Sequence, residues 1–148
     1  MKDLGAHEIA RLLPHRQPFM LLDRLSEIVP GKSGRGLKNV TISDPVFAGH
    51  FPSFPIYPGV LMIEGAGQTA GLVAGAELEQ DVEGLGFLAS VKKFVFKKLV
   101  VPGDQISYKV SKKAQFGALH EYACNVEVAG SVVAQGSVVV SLGNRIDI

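Results

Sequence analysis

The stretch that most constrains this chain runs from Gly49 to about Glu79. Its first part, Gly49-His50-Phe51-Pro52-Ser53-Phe54-Pro55-Ile56-Tyr57-Pro58-Gly59, places three prolines within seven residues. Prolines at that density admit neither a helix interior nor a central strand, because each removes a backbone donor and fixes φ. An ordered, extended loop is expected. Pro58 ends it, and Gly59 to about Glu79 reads as the one long helix. Val60, Leu61, Ile63, Leu72 and Val73 spread over most of its circumference, so it should be buried with a sheet wrapped around it. Gly67, Gly71 and Gly75 form one row and Ala66, Ala70 and Ala74 the next. A helical glycine costs about 1 kcal/mol against alanine. That cost is understandable where small residues let another backbone come close.

Around this helix the pattern is that of strands. Asp3 to Leu13 predicts a short helix, with Ile9, Leu12 and Leu13 on one face and Pro14 as its stop. Phe19 to Leu22 is a compact apolar run, and Pro30-Gly31 marks a turn. Leu37, Val40 and Ile42 suggest a strand leading into the loop at Ser43 to Pro45. After the helix, strand-like segments resume at Phe87 to Phe96. Beyond a turn at Pro102-Gly103-Asp104, Ile106, Tyr108 and Val110 alternate with polar residues, as do Tyr122, Cys124, Val126 and Val128. A hairpin at Ala129-Gly130-Ser131 leads to a last strand from Val132 to Leu142. This order is α+β rather than βαβ, and no linker or repeat divides residues 1–148, so one domain is expected.

Composition removes several function classes. Fifteen Lys and Arg against fourteen Asp and Glu leave a net charge of +1, which argues against a dedicated nucleic-acid binder. The start, MKDLGAHEIARLL, has no signal-peptide layout, and no apolar run is long enough to predict a membrane span. The single cysteine, Cys124, excludes an internal disulfide and favours a reducing, cytoplasmic setting. It sits in a strand pattern and reads as a small core residue. His7, His15, His50 and His120 have no metal-site spacing to Cys, carboxylate or each other, so no metal is expected. Gly-x-Ser-x-Gly and phosphate-loop patterns are absent from the sequence.

Two residues point to chemistry. His50 lies in the stiff loop, and Glu64 is a carboxylate one turn inside a helix that otherwise looks buried. Burial without a partner is expensive for a carboxylate and would raise its pKa, as suits a general acid. Gln68 follows at i+4 on the same face and is placed to orient it. The helix start at Gly59-Val60 offers free N–H groups and the positive dipole end, and Gly59 permits close approach of a ligand. Imidazole, carboxyl and helix start together suit proton abstraction beside a carbonyl, with an oxyanion held by backbone N–H. The residues alone also allow a plainer arrangement, with Glu64 facing solvent and His50 capping a turn.

At these residues the chain resembles the FabZ-type 3-hydroxyacyl-[acyl-carrier-protein] dehydratases, of the hotdog fold. The resemblance rests on Leu13-Pro14-His15-Arg16-Gln17-Pro18-Phe19 with Leu22-Asp23-Arg24, and on Lys38-Asn39-Val40-Thr41. It rests further on Gly49-His50-Phe51-Pro52, on Pro55-Ile56-Tyr57-Pro58-Gly59-Val60-Leu61-Met62-Ile63-Glu64 with Gln68, and on Val100-Val101-Pro102-Gly103-Asp104-Gln105. It implies a helix wrapped by an antiparallel sheet and a catalytic pair at His50 and Glu64. The site is implied to form across a homodimer, His50 of one subunit working with Glu64 of the other, and dimers of the family often join as trimers of dimers. No cofactor is implied. The implied reaction is loss of water from a (3R)-3-hydroxyacyl thioester on acyl carrier protein, giving the trans-2-enoyl thioester in fatty acid or polyketide-like synthesis.

The chain departs from the family pattern at Ser53-Phe54, where a glycine and a basic or polar residue are usual. Tyr57 replaces a common methionine, Leu99 a proline and Val95 a basic residue. Phe51, Phe54 and Tyr57 are expected on the substrate tunnel or its loop, so acyl preference is where a difference is expected. Lys92, Lys93, Lys97 and Lys98 form a basic cluster suited to an acidic carrier protein, or simply guard a strand edge. His15, Arg16 and Asp23 read as structural. The rivals are a hotdog thioesterase, which would lack the loop histidine, and a non-catalytic acyl-carrier-binding subunit, which would have no need of His50 and Glu64. An isomerising dehydratase would by resemblance carry aspartate at position 64.

Overall fold

The computed structural model describes residues 1–78 and 86–143. Its elements are β1 (Leu4–Gly5), α1 (Ala6–Leu12), β2 (Arg24–Val29), β3 (Ser33–Asn39), α2 (Gly59–Gly75), β4 (Phe87–Phe96), β5 (Gln105–Phe116), β6 (Leu119–Val128) and β7 (Ser131–Ser141). The seven strands form one sheet in the order β1-β2-β3-β5-β6-β7-β4, and every neighbouring pair is antiparallel. Helix α2 packs against β3, β5, β7, β4, β6 and β2. This is the hotdog arrangement: an antiparallel sheet curled around one long helix.

The alternating segments fold as the alternation requires. Ile106, Tyr108 and Val110 of β5 and Tyr122, Cys124 and Val126 of β6 point at the helix and are buried. Ala129 and Gly130 both take positive φ, 50° and 80°, the geometry of a two-residue hairpin turn whose twist matches the strands it joins. In β2 the alternation is broken by a bulge at Glu27, φ 53°, which keeps both Leu25 and Ile28 in the core.

Several expectations are corrected. The first helix is shorter than Asp3 to Leu13, because the Glu8 carboxylate accepts the Gly5 N–H at 2.9 Å and starts it there, while Leu4 and Gly5 pair with β2. Phe19 to Leu22 forms no strand; Leu21 and Leu22 are buried as loop residues. The strand expected around Leu37, Val40 and Ile42 runs instead from Ser33 to Asn39. Its early half was hidden by Gly34 and Gly36, which are there because α2 lies against them: a Cβ on Gly34 would sit 2.6 Å from Val73 Cγ2. The long helix ends at Gly75; the expected end at Glu79 lies outside the described residues.

The glycine row of α2 also needs revision. Close packing falls on Gly65, where a Cβ would meet the Tyr108 ring at 2.5 Å. A Cβ on Gly67 would lie 3.3 Å from Leu88 Cδ1 of β4, and one on Gly71 would meet nothing within 4 Å among the described residues. The row therefore faces a cleft rather than a tightly packed backbone. Cys124 is buried as expected, and burial pushes its thiol up to about 12.

Candidate active site

The loop before α2 is latched by its own backbone. Asp44 accepts the Val46 N–H at 3.0 Å and caps the short 3-10 turn Pro45–Ala48. His50 then donates its N–H to Val46 O at 3.0 Å, Ile56 donates to His50 O at 3.1 Å, and Phe51 and Phe54 exchange bonds at 3.1 and 3.0 Å. Tyr57 donates to Val100 O at 2.8 Å and ties the loop to the strand side of the molecule. The His50–Phe51 peptide is cis.

Inside this frame the imidazole of His50 has one orientation. Nδ1 lies 2.7 Å from Ile56 O, and a carbonyl can only accept, so Nδ1 carries the hydrogen. In the neutral ring Nε2 is then the nitrogen without a hydrogen. The Phe51 ring stacks on the imidazole, centroids 4.1 Å apart.

The start of α2 comes next. Pro58 O accepts from Leu61 and Met62 at 3.0 and 3.3 Å, while the N–H groups of Gly59 and Val60 have no acceptor among the described residues. Phe96 of β4 lies over Gly59 so closely that a Cβ there would be 2.8 Å from the ring. Gly59 is thus required by the approach of this ring, and Val60 is exposed.

Glu64 sits in a different cradle. Its Oε1 is 3.2 Å from Gln68 Nε2 and 3.2 Å from His15 Nε2. Gln68 is itself fixed: Nε2 donates to Phe19 O at 2.7 Å, and Oε1 accepts the Leu21 N–H at 3.2 Å. Burial pushes the Glu64 carboxyl up, but the His15 and Gln68 nitrogens and the His15 charge outweigh it, so its pKa lies below the ordinary 4.5. The expectation that burial alone keeps Glu64 partly protonated is corrected by these two neighbours. Beside the carboxyl lies a cleft of about 10 Å³, room for about one water, lined by Leu13, His15, Gln68, Gly71, Leu88 and Val140 among others.

Of the residues singled out in the sequence, the single chain brings Glu64 and Gln68 into contact and keeps His50 apart from both. No hydrogen bond or ion pair joins His50 to Glu64 among the described residues. Phe51 and Phe54 are exposed on the loop, whereas Tyr57 is in the core against Phe47, with its hydroxyl unpartnered. His15, read from sequence as structural, is the neighbour that reasoning missed. Its signal was present in Leu13-Pro14-His15-Arg16, but nothing local says that this segment crosses to α2.

A FabA-like domain model matches residues 13–139, which span both cradles. The chain belongs to the FabA-like family. Within it, a 3-hydroxyacyl-[acyl-carrier-protein] dehydratase FabZ of Rhizobium leguminosarum is 44% identical over 131 residues, covering 88% of this chain and 84% of the relative. Another of that name from Allorhizobium ampelinum is 41% identical over 147 residues, covering 97% and 95%. The fold is shared more widely. The dehydratase heterocomplex ApeI:P of Xenorhabdus doucetiae superposes with a TM-score of 0.77 at 20% identity, over 93% of this chain and 91% of that one. A hypothetical thioesterase with coenzyme A from Streptococcus pneumoniae gives 0.62 at 11% identity, over 82% and 85%.

The four clustered lysines of this FabA-like chain, Lys92, Lys93, Lys97 and Lys98, lie on and just past β4. Lys92 Nζ is 2.7 Å from Glu121 Oε1, and Lys113 reaches the other oxygen of that carboxylate at 3.4 Å. Lys92, Lys93, Lys113 and Glu121 border a groove of about 480 Å³ on the sheet, which shares no lining residue with the Glu64 cleft. Lys97 and Lys98 follow, both donating their backbone N–H to Val133 O. No three His, Cys, Asp or Glu residues converge among the described residues. No helix among them is long and apolar enough to cross a membrane.

Proposed function

We propose that this chain is a hydro-lyase that converts (3R)-3-hydroxyacyl-[acyl-carrier-protein] to the trans-2-enoyl form during fatty acid biosynthesis in the cytoplasm. The observation that carries the reading is the tautomer of His50: Ile56 O holds the Nδ1 hydrogen and leaves Nε2 as a base, one loop away from a helix start with unpaired N–H groups.

The steps follow from these groups. His50 Nε2 takes a proton from C2 of the acyl thioester. Charge builds on the thioester oxygen, and the N–H groups of Gly59 and Val60 at the positive end of α2 hold it. The C3–O bond breaks as Glu64, directly or through a water in the adjacent cleft, protonates the departing hydroxyl. The electron pair of the C2–H bond becomes the C2–C3 double bond, and water leaves. Each positioned acid or base contributes about 10² to 10⁴ in rate. In the empty chain Glu64 is held below its ordinary pKa. A bound acyl chain strips water from the cleft and strengthens the burial that pushes it up.

The separation of His50 from Glu64 within one chain is understood if the site is completed by a second copy, His50 of one subunit working with Glu64 of its mate. The support is β4. It is a sheet edge and exposed along nearly its whole length, with Phe87, Leu88, Val91, Val95 and Phe96 all apolar and accessible. A long apolar edge of that kind is a pairing surface. Three such dimers can then join into a trimer of dimers. Phe51 and Phe54 border the acyl entrance. Lys93, Lys97 and Lys98 serve the acidic carrier protein, with Lys92 partly spent on Glu121. No cofactor takes part in this scheme.

The test is intact-mass analysis of 3-hydroxyacyl-carrier protein incubated with the native chain, His50→Ala and Glu64→Gln. Loss of one water with the native chain and near-abolition in both variants is expected. Free carrier thiol would replace the reading with a thioesterase. Unchanged substrate with tight carrier binding would replace it with a binding subunit.

A further inference from the structure

The proposed scheme leaves one side chain at the site without a part. His15 lies on the loop after α1, yet its Nε2 is 3.2 Å from Oε1 of Glu64, forty-nine residues along the chain. Gln68 Nε2 reaches the same oxygen at 3.2 Å. Two nitrogens on Oε1 fix the plane of the carboxyl group and leave Oε2 as its one unoccupied oxygen among the described residues. His15 does not arrive there by chance of a mobile loop. Arg16 Nη1 donates to both Leu13 O at 3.0 Å and His15 O at 2.6 Å, and Leu13 itself is buried. His15 Nδ1 is buried and has no partner. A bare nitrogen there costs less than a trapped N–H, so the hydrogen of the neutral ring belongs on Nε2, toward Glu64.

We propose that His15 is a positioning residue for the dehydration: through Nε2 it aims Oε2 of Glu64 at the departing hydroxyl and stabilises the carboxylate left when that proton is given up. This rests on the dehydratase reading above. The chemistry is balanced without any change at His15. Oε2 gives its proton to the C3 oxygen, the C3–O pair leaves with water, and the new negative charge is shared with the Nε2–H groups of His15 and Gln68. The reset proton returns to Oε2 from solvent, where His50 releases the one it took from C2.

Among the described residues, few groups face Glu64. From its own helix come Gly67, Gln68 and Gly71; from the loops Leu13, His15 and Gly86; from β4 Leu88; from β7 Val140. His15 is the one other titratable group among these. His50 is the second titratable group of the proposed site and serves as an internal control. Removing His15 takes away an Nε2–H donor to the carboxylate, so Glu64 should titrate at higher pH whichever limb of the rate profile it governs.

The experiment compares native chain, His15→Ala and His15→Gln, whose amide places a neutral donor near the Nε2 position. For His15→Ala we expect kcat to fall about 10- to 100-fold with KM changed less than about twofold. The limb that Glu64→Gln abolishes should move to higher pH, and the His50 limb should stay. His15→Gln should recover most of kcat. Unchanged kcat in His15→Ala, or a fall accompanied by a lowered Tm and an unmoved limb, would overturn the proposal. Titration of the Glu64 carboxyl by 13C NMR in the resting chain gives the answer independently of turnover. An upward shift in His15→Ala is expected even if the native chain proves not to dehydrate anything, and no shift would end the proposal with the dehydratase reading intact.

Discussion

Strands β4 and β5 are of similar length, ten and twelve residues, and equally able to pair, but they meet the rest of the molecule differently. β5 lies in the middle of the sheet and buries alternate residues under α2. β4 lies at the edge, and its apolar side chains stay accessible on a strand that has β7 on one side and no strand on the other among the described residues. The same division runs along α2. Gly65 is pressed against Tyr108 of β5, Gly67 stands off Leu88 of β4, and Gly71 opens into the cleft beside Glu64. The side of the helix facing β5 is a core, while the side facing β4 is a seam with the Glu64 cleft beside it.

Charging the seam is the strongest way to break this contrast. Phe87→Lys with Val91→Lys should convert the protein to monomers in analytical ultracentrifugation. It should lower dehydration by about 100-fold or more, because a split site loses a positioned acid or base. A fully active monomer would refute the shared site.

Glycine substitutions sharpen it next. Gly65→Ala forces a methyl group into the Tyr108 ring and should destabilise the fold by about 1–3 kcal/mol. Gly71→Ala meets open space within the chain and should leave thermal stability unchanged or improved by up to about 1 kcal/mol. If the cleft admits the acyl chain, the same variant should lose rate on long substrates before short ones. Equal losses of Tm in both variants would erase the distinction between the two sides.

Hydroxyls on the core side give a smaller effect. Tyr122 donates to Gly31 O at 2.7 Å, so Tyr122→Phe should cost about 1 kcal/mol and leave that carbonyl unpaired. The Tyr108 hydroxyl is buried without a partner, and Tyr108→Phe should be neutral or mildly stabilising on the same denaturation assay.

The smallest effect is one of pH. Glu64 has a folded pKa below its ordinary 4.5, so its ionised form adds stability above that value and loses it as pH falls through the lowered one. Tm of the native chain should therefore drop more steeply below about pH 4.5 than that of Glu64→Gln.

What was legible in the sequence follows the same line. The core strands announced themselves, because Ile106, Tyr108 and Val110 or Tyr122, Cys124 and Val126 alternate under one helix. β3 did not, because Gly34 and Gly36 make room for Val73 and Thr69, and that need is visible only once α2 is in place. Glu64 and Gln68 were legible as a pair since they share a helix face. Their other partners were not: Phe19, Leu21 and His15 reach them from a segment more than forty residues away. The misjudged acidity of Glu64 has the same origin, since burial can be guessed from a helix pattern but a neighbouring imidazole cannot. Tyr57 lies on the loop as expected, but its burial was not legible, because proline spacing shows that a loop is stiff, not which of its side chains turns inward.

The position of β4 in the sheet also sets a timetable for synthesis. Among the described residues its one neighbour is β7, the last strand of the sheet, so β4 emerges from a ribosome with no mate until Ser131–Ser141 has followed. For the time it takes to make about forty residues, at about 5–20 residues per second, an apolar segment with two open edges waits in the nascent chain. Lys92, Lys93, Lys97 and Lys98 lie within and just after that segment. Like charges spaced along an apolar strand oppose the side-by-side joining of unfinished chains.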